Sequence, residues 1–210
     1  MKGFFITFEG CEGSGKSTQA KLLSEYLNLK GAQHILTREP GGNVVSEGIR
    51  GLIKDMKNSS MINETEILLF AAARAQHTYE KILPALSEGK IVICDRYFDS
   101  TYAYQGYARG IKLKDIDGIN KFSTFKLVPD ITFFLDITAA SAFKQKGAPD
   151  KDDRLEQTGM EFHEKVYAGY KELIKHNKKR MVAINAFNRT PEAISKDIIN
   201  ELIRRNIIGD

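Results

Sequence analysis

Short runs of consecutive apolar residues alternate with stretches whose apolar residues recur every three or four positions. Phe4-Phe5-Ile6-Thr7-Phe8, Ile91-Val92-Ile93-Cys94 and Ile131-Thr132-Phe133-Phe134-Leu135 read as buried strands. His34-Ile35-Leu36-Thr37 and Met181-Val182-Ala183-Ile184 complete a predicted set of five. Between them, Leu22, Leu23, Tyr26 and Leu27 share one helical face, as do Phe162, Val166, Tyr170 and Leu173. Further helices are predicted over residues 44–55, 63–87 and 113–126, with loop signals at Pro40-Gly41-Gly42 and a polar break at Lys57–Ser60. Thr190-Pro191-Glu192 opens a last helix with a cap, a proline in the first turn and an early acid. This alternation predicts an α/β fold in three layers, a five-stranded parallel sheet with helices on both faces, built as one domain over residues 1–210. Ligands of such a sheet gather beyond the carboxyl ends of the strands, where the loops after Phe8, Thr37, Cys94 and Leu135 meet. From Thr138 to Asp153 the chain turns polar and lysine-rich, which predicts a mobile loop, a lid over about residues 140–154.

Composition adds little to that pattern but excludes several classes. With 42% hydrophobic and 28% charged residues the chain is ordinary for a globular protein. Its net charge of +4 is mild and dispersed, whereas a nucleic-acid binder concentrates its basic residues on one face. No apolar run approaches the roughly 18 residues of a membrane span, and no signal-peptide pattern precedes the first strand. The two cysteines, Cys11 and Cys94, have neither metal-site spacing nor a reason to pair in a reducing compartment. These properties alone describe a cytoplasmic α/β protein.

The chemistry begins between the first strand and the first helix. Gly10-Cys11-Glu12-Gly13-Ser14-Gly15-Lys16-Ser17 fits G-x-x-x-x-G-K-[ST], and Thr18 follows it. Strand, glycine loop and helix in that order turn the motif into a mechanism: backbone N–H groups surround phosphate oxygens, and the helix N-terminus adds partial positive charge. Lys16 is placed to reach β- and γ-phosphates, and the Ser17 hydroxyl to ligate Mg²⁺. Asp95, ending an apolar strand, is the expected partner of Ser17 toward that ion through water, its alternative being a cap for the segment from Phe98. Arg96 beside it aims a planar fork at the same crevice. Arg38, Lys144, Lys146 and Arg154 bring further positive charge from separate loops, as transfer between two nucleotides requires. Phe70 and Arg74, four apart on one helix, form an aromatic and donor pair suited to a base.

FEGCEGSGKST, TREPGG, LLFAAARAQH, DRYFDSTYAYQG and DRLE stand in the order and approximate spacing of one family, and over residues 4–170 the chain resembles the thymidylate kinases, P-loop nucleoside-monophosphate kinases. The resemblance implies transfer of the ATP γ-phosphoryl group to dTMP, with Mg²⁺ required, in a homodimer. Carried onto matching positions, it places Phe70 against thymine and Arg74 on its O4 edge. Thr101 lies near the base, Tyr104 beside the deoxyribose where it crowds a 2′-hydroxyl, and Gln105 in the same pocket. Arg96 and Arg38 hold the dTMP phosphate, and Glu12 contacts the acceptor's 3′-hydroxyl. Some members carry an arginine directly after that acid, where this chain has Gly13. The similarity is therefore to the bacterial type, which supplies arginine from the lid, yet Lys144 and Lys146 stand where those arginines are expected. Either lysine, or Arg154, then carries the catalytic charge; the division favoured is a lysine at the transferred phosphoryl group and Arg154 nearer the ATP phosphates or base.

Other readings fit less well. A P-loop kinase for another monophosphate lacks a use for the Phe70/Arg74 and Tyr104/Gln105 sets. A GTP-dependent switch is suggested only by Asp115-Ile116-Asp117-Gly118, which follows no buried strand, and Asn120-Lys121 lacks the aspartate of an N-K-x-D guanine reader. A nucleic-acid-stimulated ATPase would need a basic stripe studded with aromatics.

Overall fold

The computed structural model describes residues 3–209, so the outermost positions of the expected 1–210 span lie outside the described residues. The strands are β1 Phe4–Glu9, β2 His34–Arg38, β3 Ile91–Asp95, β4 Ile131–Asp136 and β5 Met181–Asn185. They form one sheet in the order β2-β3-β1-β4-β5, with every neighbouring pair parallel. Each strand runs one residue beyond the apolar run that predicted it, and that residue is polar: Glu9, Arg38, Asp95, Asp136 and Asn185. Ladder bonding continues into these residues, so polar groups are delivered to the carboxyl end of the sheet, where ligands of such folds gather.

Successive strand residues point to opposite faces. Ile6, Phe8, Phe133 and Leu135 pack with α1 (Lys16–Leu29) and α9 (Pro191–Arg204) on one side. On the other, Phe5, Val92 and Cys94 pack with Ile82 and Tyr97, and Phe134 packs with Tyr170 of α8 (Met160–His176). The last helix starts as expected, with Thr190 accepting the Ala193 N–H and Pro191 in the first turn.

Three helical regions matter for the site. α2 spans Val44–Lys54 and α3 spans Asn63–His77; α3 then widens into a π-helical turn, Thr78–Ile82, before α4, Leu83–Ser87. Pro84 lacks an N–H and crowds the carbonyl four residues back, which accounts for the wide turn inside the expected 63–87 helix. The segment directly after β3 carries no clear periodicity, yet it forms α5, Phe98–Thr101, continued as a π-helical turn through Tyr102–Ala108; α6, Leu113–Ser123, then takes up most of the expected 113–126 helix.

The predicted loop over Thr138–Asp153 is corrected in its first half. Residues Ala139–Lys146 form α7, with Thr138 as its side-chain cap and Ala139, Ala142 and Phe143 buried. Those three positions are a short amphipathic stripe that the surrounding lysines mask in sequence. The remainder up to Arg154 is irregular.

Candidate active site

Loop Gly10–Gly15 joins β1 to α1. Gly13 and Gly15 have φ of 76° and 93°, left-handed values that only glycine adopts without strain. Gly15 offers no capping side chain and α1 has no acid in its first turn. The first N–H groups of α1 and their partial positive charge are thus left for an anion. Lys16 folds back over the loop, donating to the Cys11 carbonyl at 2.7 Å, and burial pushes its pKa down. Ser17 Oγ donates to Asp95 Oδ2, so the two oxygens expected to share a cation converge on one point. Among the described residues no group of three or more His, Cys, Asp or Glu is arranged to hold a metal ion by itself. The Ser17–Asp95 pair therefore fits a cation whose remaining ligands come from nucleotide phosphates and water.

A cavity of about 430 Å³ opens from this loop. Glu12, Gly13, Gly15, Lys16, Ser17 and Thr18 of the loop and the start of α1 line it. Arg38, Phe70, Arg74, Asp95, Arg96, Thr101, Tyr104 and Gln105 line it as well. Gly10, Cys11 and Ser14 belong to the loop but do not line the cavity; the Cys11 thiol is buried and its pKa raised to about 11 by that burial.

Arg96 sits at the centre. Its φ of 70° is left-handed, a conformation a non-glycine residue holds only when over-determined by its surroundings. Its N–H donates to the Phe8 carbonyl at 2.9 Å. Its guanidinium donates to Gly10 O at 2.9 Å, Tyr104 OH at 3.0 Å and Glu12 Oε1 at 2.6 Å. Burial would raise the pKa of Glu12, but the charges of Arg96 and Lys16 outweigh it and hold the carboxyl at about 2. Glu12 is thus an ionised acceptor at neutral pH. Beneath Arg96, fully buried Glu9 accepts from Tyr97 N at 2.8 Å, Ser100 Oγ at 2.6 Å and Tyr170 OH at 2.7 Å. Burial, helped by the Asp99 charge, pushes Glu9 up to about 7.

Arg74, 2% exposed, is held on three sides: Nε donates to Glu39 Oε2 at 2.8 Å, Nη1 to Asn120 Oδ1 at 3.1 Å and Nη2 to Tyr97 O at 3.4 Å. Guanidinium has five N–H donors, so two remain for a ligand. His77, fully buried, braces the same Glu39 carboxylate at 3.1 Å. Thr101 Oγ1 is buried without a hydrogen-bond partner, and its residue lines the cavity, leaving capacity for a polar atom of a base. Arg38 is half exposed and paired with Glu47 at 2.8 Å.

The three basic candidates of the lid separate clearly. Lys146 lines the cavity and pairs with Glu156. Lys144 is exposed and does not line it. Arg154 is turned away, its guanidinium donating to Ile53 O at 3.0 Å and Glu66 Oε2 at 2.7 Å. Gly13 explains how the lid lies so close: a Cβ there would stand 2.4 Å from the Ala142 carbonyl oxygen of α7. Sequence reasoning missed Glu9, Glu39, Glu66 and Arg50, of which Glu39 and Arg50 also line the cavity. Glu9 and Glu39 adjoin strand ends and were findable there, whereas Arg50 and Glu66 read as surface charges of amphipathic helices.

A phosphate-cradling loop on a parallel sheet, lining one cavity together with Phe70, Arg74 and Arg96, defines a P-loop nucleotide phosphotransferase. A family profile described as thymidylate kinase matches residues 8–198, and the chain belongs to that family. A thymidylate kinase of Thermoanaerobacter sp. (strain X514) is 46% identical over 95% of this chain and 97% of its own. One of Finegoldia magna is 45% identical over 97% of this chain and 100% of its own. The crystal structure of thymidylate kinase from Ehrlichia chaffeensis superposes with a TM-score of 0.80, at 36% identity, covering 96% of this chain and 100% of that one.

Proposed function

We propose that the protein transfers the γ-phosphoryl group of ATP to the 5′-phosphate of dTMP, giving dTDP and ADP. The observation that carries this reading is one cavity lined both by the phosphate loop and by Phe70, Arg74, Thr101, Tyr104 and Gln105. The loop and Lys16 take the donor's phosphates, while Phe70 stacks on thymine. The two free N–H groups of Arg74 serve O4, and Tyr104 crowds the place of a 2′-hydroxyl. Arg96 and Arg38 hold the acceptor phosphate, and ionised Glu12 accepts from the 3′-hydroxyl. Phosphoryl transfer asks mainly for alignment and neutralised charge, which fixed arginines and oriented N–H groups supply without reorganisation. Lys146 is the lid charge placed for the transferred group. Ser17 and Asp95 would hold Mg²⁺, which when bound neutralises charge on the donor's β- and γ-phosphate oxygens.

A homodimer is part of the proposal. α3 packs beside both α2 and α6. Val45 and Leu52 on α2, Leu68 on α3 and Phe122 on α6 are each more than half exposed, an apolar set suited to a second copy. A cytoplasmic location is likewise part of the proposal; among the described residues no helix is long and apolar enough to cross a membrane. The direct test supplies γ-labelled ATP with dTMP and separates the products. Label in dTDP supports the reading; label only in inorganic phosphate overturns it.

A further inference from the structure

We propose that Glu66 is a positioning residue for the phosphoryl transfer, joining the lid to the acceptor pocket through one buried carboxylate. This deepens the dTMP kinase reading and rests on it. Glu66 lies one turn before Phe70 and two before Arg74 on the same face of α3, and it is 1% exposed. A carboxylate offers about four acceptor positions. Here Gln105 Nε2 at 3.0 Å, Arg109 Nε at 3.2 Å, Arg109 Nη2 at 3.1 Å and Arg154 Nη2 at 2.7 Å all donate to it.

The partners differ in purpose. Arg109 alone, also stacked over Phe162, would neutralise the charge. Gln105 adds no charge, but it lines the cavity, and Glu66 fixes its amide there. Arg154 arrives from 88 residues away and ties the returning arm of the lid to the acceptor half. The same arm is fastened by Arg154 N to Lys54 O at 2.9 Å and by Asp153 to Lys54 Nζ at 2.8 Å. Two residues on, Glu156 pairs with Lys146 at the end of α7, the outgoing arm seated on Gly13. Contacts thus join Gln105, Glu66 and Arg154, and two residues along the chain Glu156 carries the connection to Lys146. Burial pushes the Glu66 pKa up, but the bonds from Gln105 and Arg109 and from Arg154 hold it below the usual range, so the latch stays charged.

Three variants test this with two readouts. Arg154→Ala should lower kcat about tenfold with little change in KM for dTMP, as expected when a lid charge is misplaced. Gln105→Ala should raise KM for dTMP with a smaller effect on kcat. Glu66→Gln should do both. Independently of activity, trypsin cleavage at exposed Lys151 should be about fivefold faster in Glu66→Gln and Arg154→Ala and unchanged in Gln105→Ala, because only the first two release the lid. If Glu66→Gln moves only one kinetic constant, or lid cleavage does not respond to it, the coupling is wrong. Should Glu66→Gln melt more than about 10 °C below the parent, the other two variants decide, and unchanged cleavage in Arg154→Ala overturns the proposal. A parent enzyme without dTMP-dependent turnover would refute the functional reading instead, while the cleavage comparison would still judge the latch.

Discussion

Gly13→Ala is the substitution whose consequence can be worked most directly from the geometry. A Cβ at Gly13 would stand 2.4 Å from Ala142 O, 3.0 Å from Ala142 C and 2.9 Å from Lys146 Cβ. The first two are helix backbone and cannot rotate aside, so α7 must retreat by about 1 Å to restore ordinary contact near 3.5 Å. The φ of 76° adds roughly 1–2 kcal/mol for a residue with a side chain. Lys146, at the end of that helix, moves with it. Displacing a charge by about 1 Å from the reacting group costs up to ~10²-fold in rate. Gly13→Ala should therefore lower kcat between about 10- and 100-fold, while dTMP binding to the nucleotide-free protein, followed by calorimetry, stays at the parent value. A kcat within about twofold of the parent would mean that α7 does not need its seat on the loop.

The acceptor pocket and the acid side give further tests. Arg74→Ala removes a charged donor worth roughly 1.5–3 kcal/mol. It should cut kcat/KM for dTMP by about 10- to 150-fold with KM for ATP unchanged, and a loss under about twofold would mean Arg74 does not touch the base. It should also lower Tm, because Glu39 is left buried with one partner fewer. Lys146→Ala should lower kcat more than about tenfold, or 1.4 kcal/mol, and Lys144→Ala should stay within about twofold; equal losses would refute the assignment. Glu12 has a folded pKa of about 2, below its ordinary 4.5. Its pairing with Arg96 therefore stabilises the fold above about pH 4.5 and is lost as pH falls toward 2, by at most ~3 kcal/mol. Unfolding midpoints of Glu12→Gln should accordingly fall less steeply than the parent's below pH 4.5, and parallel slopes would contradict the pairing.

Much of this was legible in the chain because it rests on local physics. Strands buried on both faces must be apolar in succession, and a phosphate cradle needs glycines and a lysine at fixed spacing. What escaped is what depends on distant partners. Arg154 reads as a lid charge for the donor nucleotide and Glu66 as a surface charge of a helix, yet the two pair with each other across 88 residues. α7 has only three buried residues of its own, and its close approach to the loop depends on Gly13. The π-helical turn at Tyr102–Ala108, which delivers Tyr104 and Gln105, follows neither a 3.6- nor a 2-residue period and so leaves no periodic trace. The resemblance named those two residues where periodicity did not.

The most direct test of the account is ADP release from ATP, coupled to a spectrophotometric signal, in the presence of dTMP, dUMP, CMP, GMP or AMP in turn. Turnover that requires an acceptor and is fastest with dTMP is the predicted result. Equal turnover with no acceptor, or preference for a purine monophosphate, would contradict it.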